Sequence, residues 1–150
     1  MYTDSHCHLS FPELVAQLPD IRQKMLDAHV TRALCICTTI EEFEQVHHLA
    51  KTYDNFWSTV GVHPDNEDIY EPTVQDLVEK GQLPRVIAIG ETGLDYYQMS
   101  ERKGGRTIDD MEWQRDRFRN HIRAARQIQL PMVIHTRASS DDTLRILKEE

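Results

Sequence analysis

Short apolar runs alternate with amphipathic segments along the whole chain. Residues 2–8 read as a strand. Pro19 and Asp20 open a helix over residues 19–28, with Ile21, Met25 and Ala28 on one face. Residues 33–37 form a continuous apolar run and predict a buried strand. Phe43, Val46, Leu49, Ala50 and Tyr53 recur at helical spacing and predict a helix over 41–53. Residues 56–62 predict a third strand, running into Gly61-Val62-His63-Pro64. A short helix over 73–80 is stopped by Gly81 and Pro84, and residues 86–90 predict the fourth strand. A polar loop follows at about 100–107, holding Gly104, Gly105, Arg102, Lys103 and Arg106. A long helix over 109–129 turns Trp113, Phe118, Ile122, Ala125 and Ile128 inward. Residues 131–135 predict the fifth strand. A last helix over 139–147 has Ser139 as its cap and Asp141 and Asp142 in its first turn.

Near-continuous apolar strands joined by helices imply a parallel sheet covered on its faces, an α/β fold. A TIM-type (β/α) barrel and an open doubly wound sheet both fit. No glycine-rich phosphate-binding turn follows the first strand, which weakens the nucleotide-binding sheet, and no organic cofactor is expected. Chemistry-bearing residues sit instead at the ends of strands one, three, four and five, the habit of the barrel. A full barrel takes ~250 residues. The expectation is therefore one domain over residues 1–150 holding about the first five strands. A sheet left open in this way exposes its edges, and self-association of the open barrel is expected.

Composition narrows the setting. The chain is 39% hydrophobic and 28% charged, as ordinary globular proteins are. Its apolar runs are far shorter than the ~20 residues that span a bilayer, so no membrane partner is expected. The first residues carry neither a basic nor an apolar leader region, and the three cysteines do not make a disulfide framework. Both point to a reducing cytoplasm. A net charge of −8 disfavours a surface built mainly to grip nucleic acid. It leaves room for a nuclease, because bound divalent ions bring positive charge to the scissile phosphate.

The candidate chemistry begins at His6 and His8. Two residues apart on a strand, they point to one side and can share an ion, while Cys7 faces the helices. Asp4 is expected on their face as a carboxylate partner for an imidazole N–H. Glu91, between Gly90 and Gly93, ends the fourth strand, and His135 ends the fifth. His63 is a further inward candidate, and Asp95 either shapes the loop or makes a turn. Mixed imidazole and carboxylate ligands suit Zn²⁺, Mn²⁺ or similar ions. Cys35 and Cys37 read as core, and His29, His47, His48 and His121 as solvated.

Four motifs together carry a family resemblance. They are Asp4-Ser5-His6-Cys7-His8-Leu9, Gly61-Val62-His63-Pro64, Gly90-Glu91-Thr92-Gly93-Leu94-Asp95-Tyr96 and Leu130-Pro131-Met132-Val133-Ile134-His135-Thr136-Arg137. In this order the chain resembles the TatD-like metal-dependent deoxyribonucleases. The resemblance implies a TIM barrel, a DNA substrate and two divalent ions of the Zn, Mn or Mg class. By position, His6 and His8 would hold the first ion, Glu91 would bridge both and carry catalysis, and His135 would hold the second. His63 and Arg137 would contact the substrate phosphate. The resemblance also implies about 100 residues more, enough to close the barrel, with a further histidine and an aspartate that nothing here replaces. Weak metal binding and poor activity are therefore expected of these 150 residues alone. The family also has an acidic residue and then alanine after the arginine, where this chain has Ala138 and Ser139. Amidohydrolases and other phosphoester metallohydrolases can begin with the same histidine pair, but many amidohydrolases place a lysine where Glu91 stands. A non-enzymatic binding module is the remaining alternative.

Overall fold

A computed structural model of the chain describes residues 1–100 and 104–150. Arg102 and Lys103 of the expected polar loop lie outside the described residues. Among the described residues, five strands form one sheet: β1 (Tyr2–Cys7), β2 (Val30–Cys35), β3 (Phe56–Val60), β4 (Val86–Asp95) and β5 (Met132–Arg137). They are parallel and lie in sequence order, β1 to β5, curled into a half-barrel. The connections carry α1 (Pro12–Val15), α2 (Leu18–Asp27), α3 (Phe43–Thr52), α4 (Val74–Gly81) and α5 (Glu112–Ile128), and α6 (Ser140–Glu149) follows β5. The short α1 has no counterpart in the sequence pattern. No helix among the described residues is long and apolar enough to cross a membrane.

Local chemistry sets the helix ends. Thr73 accepts the Asp76 N–H at 3.1 Å while the Asp76 carboxylate accepts the Thr73 N–H at 2.8 Å, a reciprocal cap for α4. Ser139 does not cap α6 through its side chain, as its position suggested. Its hydroxyl donates instead to the Leu94 carbonyl at 2.9 Å, tying the start of α6 to the end of β4.

The core lies between the convex face of the sheet and the helices, with Phe43, Val46, Phe56, Leu77 and Ile89 fully buried. Cys35 and Cys37 belong to it as expected, and burial pushes the Cys37 thiol up to about 12, so it stays protonated. The concave face is wetter. Thr3, Ser5, Leu34, Trp57 and Ile87 line an open cavity of about 340 Å³ there.

Two departures from simple alternation shape the rim. In β1, the step from Asp4 to Cys7 matches only the step from Ala33 to Cys35 in β2. Three residues against two is a bulge, and it shifts the side-chain alternation by one. Asp4 therefore pairs beside core residue Ala33, and His6 comes round to the concave side. In β4, the strand does not stop at Gly90 as the apolar run suggested. It pairs with β5 as far as Asp95 and Arg137. Gly90 and Gly93 make this possible, with φ of +140° and +135°. A Cβ on Gly93 would stand 2.0 Å from the His135 carbonyl oxygen.

The helix α5 departs from expectation as well. His121, read as solvated, is completely buried, and so is Gln114, while Arg117 is 2% exposed. They follow the same stripe as Phe118, Ile122 and Ala125. His47, also read as solvated, is buried against Phe43, and its Nε2 lies 2.8 Å from the Pro84 carbonyl. The Nε2 of His121 accepts the Val62 N–H at 3.0 Å, so the ring proton sits on Nδ1 and donates to the Arg117 carbonyl at 2.8 Å. Burial pushes the His121 pKa down to about 4, with the Arg117 charge adding to the effect.

Three expectations follow. Gly93→Ala combines a positive φ with a backbone clash and should cost about 3 kcal/mol, read as a lower urea midpoint. The unfolded chain protonates His121 near 6.5 and the folded chain only near 4, so the unfolded state binds the extra proton between these values. Stability from this residue is complete above about pH 6.5 and falls as pH drops, by roughly 2 kcal/mol at pH 5. His121→Gln, which keeps an acceptor but cannot titrate, should flatten that part of the acid limb relative to wild type. Finally, light scattering should show concentration-dependent self-association of this polypeptide through its open sheet edges. A monodisperse monomer would contradict that expectation.

Candidate metal centre

The C-terminal rim of the sheet gathers residues from four strands. His6 lies in β1, and His8 follows it. Their rings meet edge to face at 5.3 Å, and His8 also stacks on Phe11 at 5.2 Å. Glu91 rises from β4 between its two distorted glycines, and its N–H donates to the Cys37 carbonyl at 2.9 Å. His135 comes from β5, and His63 from the turn after β3.

Glu91 is 8% exposed, and its two oxygens face different ways. Oε2 lies 3.2 Å from His6 Nε2. Oε1 lies 3.4 Å from His135 Nδ1 and 3.8 Å from His63 Nε2. Two groups result: His6, His8 and Glu91, and His63, Glu91 and His135. In each, the candidate ligand atoms lie within 4.8 Å of one another.

Hydrogen bonds to the far side of each ring decide which nitrogen is free. His135 Nε2 faces the Asp95 carboxylate at 3.2 Å. Burial would raise the Asp95 pKa, but bonds from Arg137 and the Tyr97 N–H and the nearby His135 outweigh it, and the pKa falls. An ionised Asp95 holds the proton on His135 Nε2 and leaves a lone pair on Nδ1, the atom facing Glu91. His63 is the reverse. Its Nδ1 accepts the Asp65 N–H at 3.1 Å, so the neutral ring carries its proton on Nε2. Burial lowers the His63 pKa, against the opposing pull of Glu91, and favours this neutral form. His63 is thus near enough to count as a ligand, but its protonation makes it a hydrogen-bond donor.

The residues fit a bound cation on a further observation. Among the described residues, His8 Nδ1 is buried and has no hydrogen-bond partner. A buried ring nitrogen without a partner is costly unless a cation or proton satisfies it. Imidazole nitrogens with a carboxylate are the donor set of Zn²⁺ or Mn²⁺ rather than Ca²⁺.

Of the remaining sequence candidates, Asp95 stands directly behind His135. Arg137 donates to Asp95 from Nε at 2.8 Å, and its guanidinium lies 4.6 Å over the Tyr97 ring. Asp4 does not stand behind an imidazole. The bulge turns it off the histidine face, and its carboxylate accepts the His6 main-chain N–H at 3.0 Å. Gln114 and Arg117 were missed altogether, although both hold the main chain beside His63. The signal was present: both fall at helical spacing on the apolar stripe of α5.

The family model for TatD related DNases matches residues 3–150. The "Uncharacterized metal-dependent hydrolase YcfH" of Escherichia coli K12 is 36% identical over 98% of this chain and 53% of its own length. Human "Deoxyribonuclease TATDN3" is 32% identical over 98% of this chain and 56% of its own. The chain spans about half the length of the curated relatives it matches. Among solved structures, the TatD homolog YJJV of E. coli K12 superposes with a TM-score of 0.82 at 24% identity. That match covers 99% of this chain and 55% of the other. It identifies the curled sheet as part of a TIM-type barrel. With the family model matching nearly end to end, the chain belongs to the TatD related DNase family.

Proposed function

We propose that this chain supplies the histidine and glutamate side of a metal-dependent hydrolase centre that cleaves phosphodiester bonds in DNA. One observation carries the reading: a buried carboxylate whose two oxygens face separate sets of imidazole nitrogens. His6, His8 and Glu91 would hold one divalent ion, and Glu91 with His135 a second, of the Zn, Mn or Mg class. Such ions, when bound, polarise the phosphate and lower the pKa of water. The chain's own groups do the rest. Glu91 keeps the two cation positions together and serves as the catalytic carboxylate. His63, whose neutral form carries its proton on Nε2 beside His135 Nδ1 at 3.2 Å, would turn that donor to a phosphate oxygen. Arg137, anchored on Asp95 and 48% exposed, offers its outer N–H groups to the same phosphate. The naming of human TATDN3 as a deoxyribonuclease adds support for DNA. Three free thiols suit a reducing cytoplasm.

The expected outcome is slow DNA cleavage that a chelator stops and added Mn²⁺ or Zn²⁺ restores. Glu91→Gln, nearly the same in shape, should lower the rate on the order of 100-fold or more. Amide and lactone substrates should not turn over. Cleavage indifferent to chelator and to Glu91→Gln, or no cleavage with metal fully bound, would refute the proposal.

A further inference from the structure

We propose that Gln114, Arg117 and His121 are positioning residues that lock His63 and His135 together as one unit, separately from His6 and His8. The proposal rests on the centre described above. All three residues project from one stripe of α5, at spacings of three and four, into the core. Buried polar side chains must be paired, and these pair mainly with main chain beside the site.

The segment after β3 is irregular, so the sheet offers its peptide groups few partners. The Thr38 carbonyl takes the His63 N–H at 2.9 Å, and the helix offers most of the other partners. His121 accepts the Val62 N–H at 3.0 Å. Arg117 Nη1 donates to the His63 and Asn66 carbonyls, both at 2.9 Å. The other edge of the Arg117 fork grips the Glu71 carboxylate, and its guanidinium lies 4.8 Å over Trp113. Every residue from Val62 to Asn66 except Asp65 is thus held directly by α5, because Gln114 Nε2 takes the Pro64 carbonyl at 2.8 Å.

Gln114 also reaches the other half of the unit. Its Oε1 accepts the Asp95 N–H at 2.9 Å, and Nε2 lies 3.3 Å from the Asp95 carbonyl. Asp95 in turn faces His135 Nε2 at 3.2 Å. One amide therefore ties the peptide next to His63 to the residue that orients His135. The 3.2 Å approach of His63 Nε2 to His135 Nδ1 is the result of that link. His6 and His8 are held elsewhere, since Cys7 between them pairs with Cys35 of β2.

The test uses Gln114→Met, Arg117→Lys and the pair His121→Leu and His121→Gln in the whole chain. The metal-free proteins are labelled with diethyl pyrocarbonate, and the rate at each histidine is read by mass spectrometry. Zn²⁺ is then titrated against a competing chelator. Gln114→Met should raise labelling of His63 and His135 severalfold and leave His6 and His8 at wild-type rates. It should weaken one zinc equivalent about tenfold and spare the other. His121→Leu should expose His63, whereas His121→Gln, which keeps an acceptor for Val62, should behave as wild type. Should Gln114→Met fail to fold, Arg117→Lys decides, since a single ammonium cannot span His63, Asn66 and Glu71. Unchanged labelling of His63 and His135 in a folded variant, or equal changes at all four histidines, overturns the proposal. A wild-type chain that takes up no zinc would defeat the metal reading, and the labelling rates would still decide the positioning.

Discussion

A carboxylate with almost no contact with water needs positive or hydrogen-bonding partners, and Glu91 is such a carboxylate. The rim of the sheet is organised around that need. Three imidazole nitrogens approach its oxygens to between 3.2 and 3.8 Å, from β1, β5 and the turn after β3. Only His63 among them has its proton directed inward by a main-chain bond to its other nitrogen. Imidazole contacts offset only part of the charge. On the proposed reading divalent cations supply the remainder, so the same feature that makes Glu91 costly to bury makes it a strong bridging ligand.

Much of this was legible in the sequence, because apolar periodicity and ligand type are local properties. The five strands and their order followed from short apolar runs alternating with amphipathic segments. His6, His8, Glu91 and His135 stood out because each ends such a run. What periodicity could not register was a change of phase. The β1 bulge moves Asp4 to the opposite face from the histidines, and nothing in the string of residues marks the extra one. The length of β4 was hidden for a related reason. Gly90 and Gly93 look like strand breakers, whereas here they let the strand continue within van der Waals limits of β5.

The errors on α5 have a different origin. Polar residues on a helix are assigned to solvent because burial without a partner is expensive. Gln114, Arg117 and His121 violate the assumption because most of their partners are main-chain groups far away in sequence, at separations of 19 to 59 residues. Only the tertiary fold makes those partners available. The spacing of the three still followed the stripe of Phe118, Ile122 and Ala125, so a polar residue in phase with an apolar stripe deserved to be read as buried and paired.

The two halves of the rim are consequently built in different ways. His6 is placed by the bulge of β1, and His8 lies just past the pairing of Cys7 with Cys35. His63 lies on irregular backbone, and irregular backbone must be held by side chains. Dependence then runs outward from the helix. Gln114 fixes the main chain of Asp95, and Arg137 and the Tyr97 N–H keep its carboxylate ionised. That charge keeps the His135 proton on Nε2, which leaves Nδ1 with its lone pair facing Glu91. A ligand nitrogen at the surface of the sheet is in this way prepared by a neutral amide buried one layer below it.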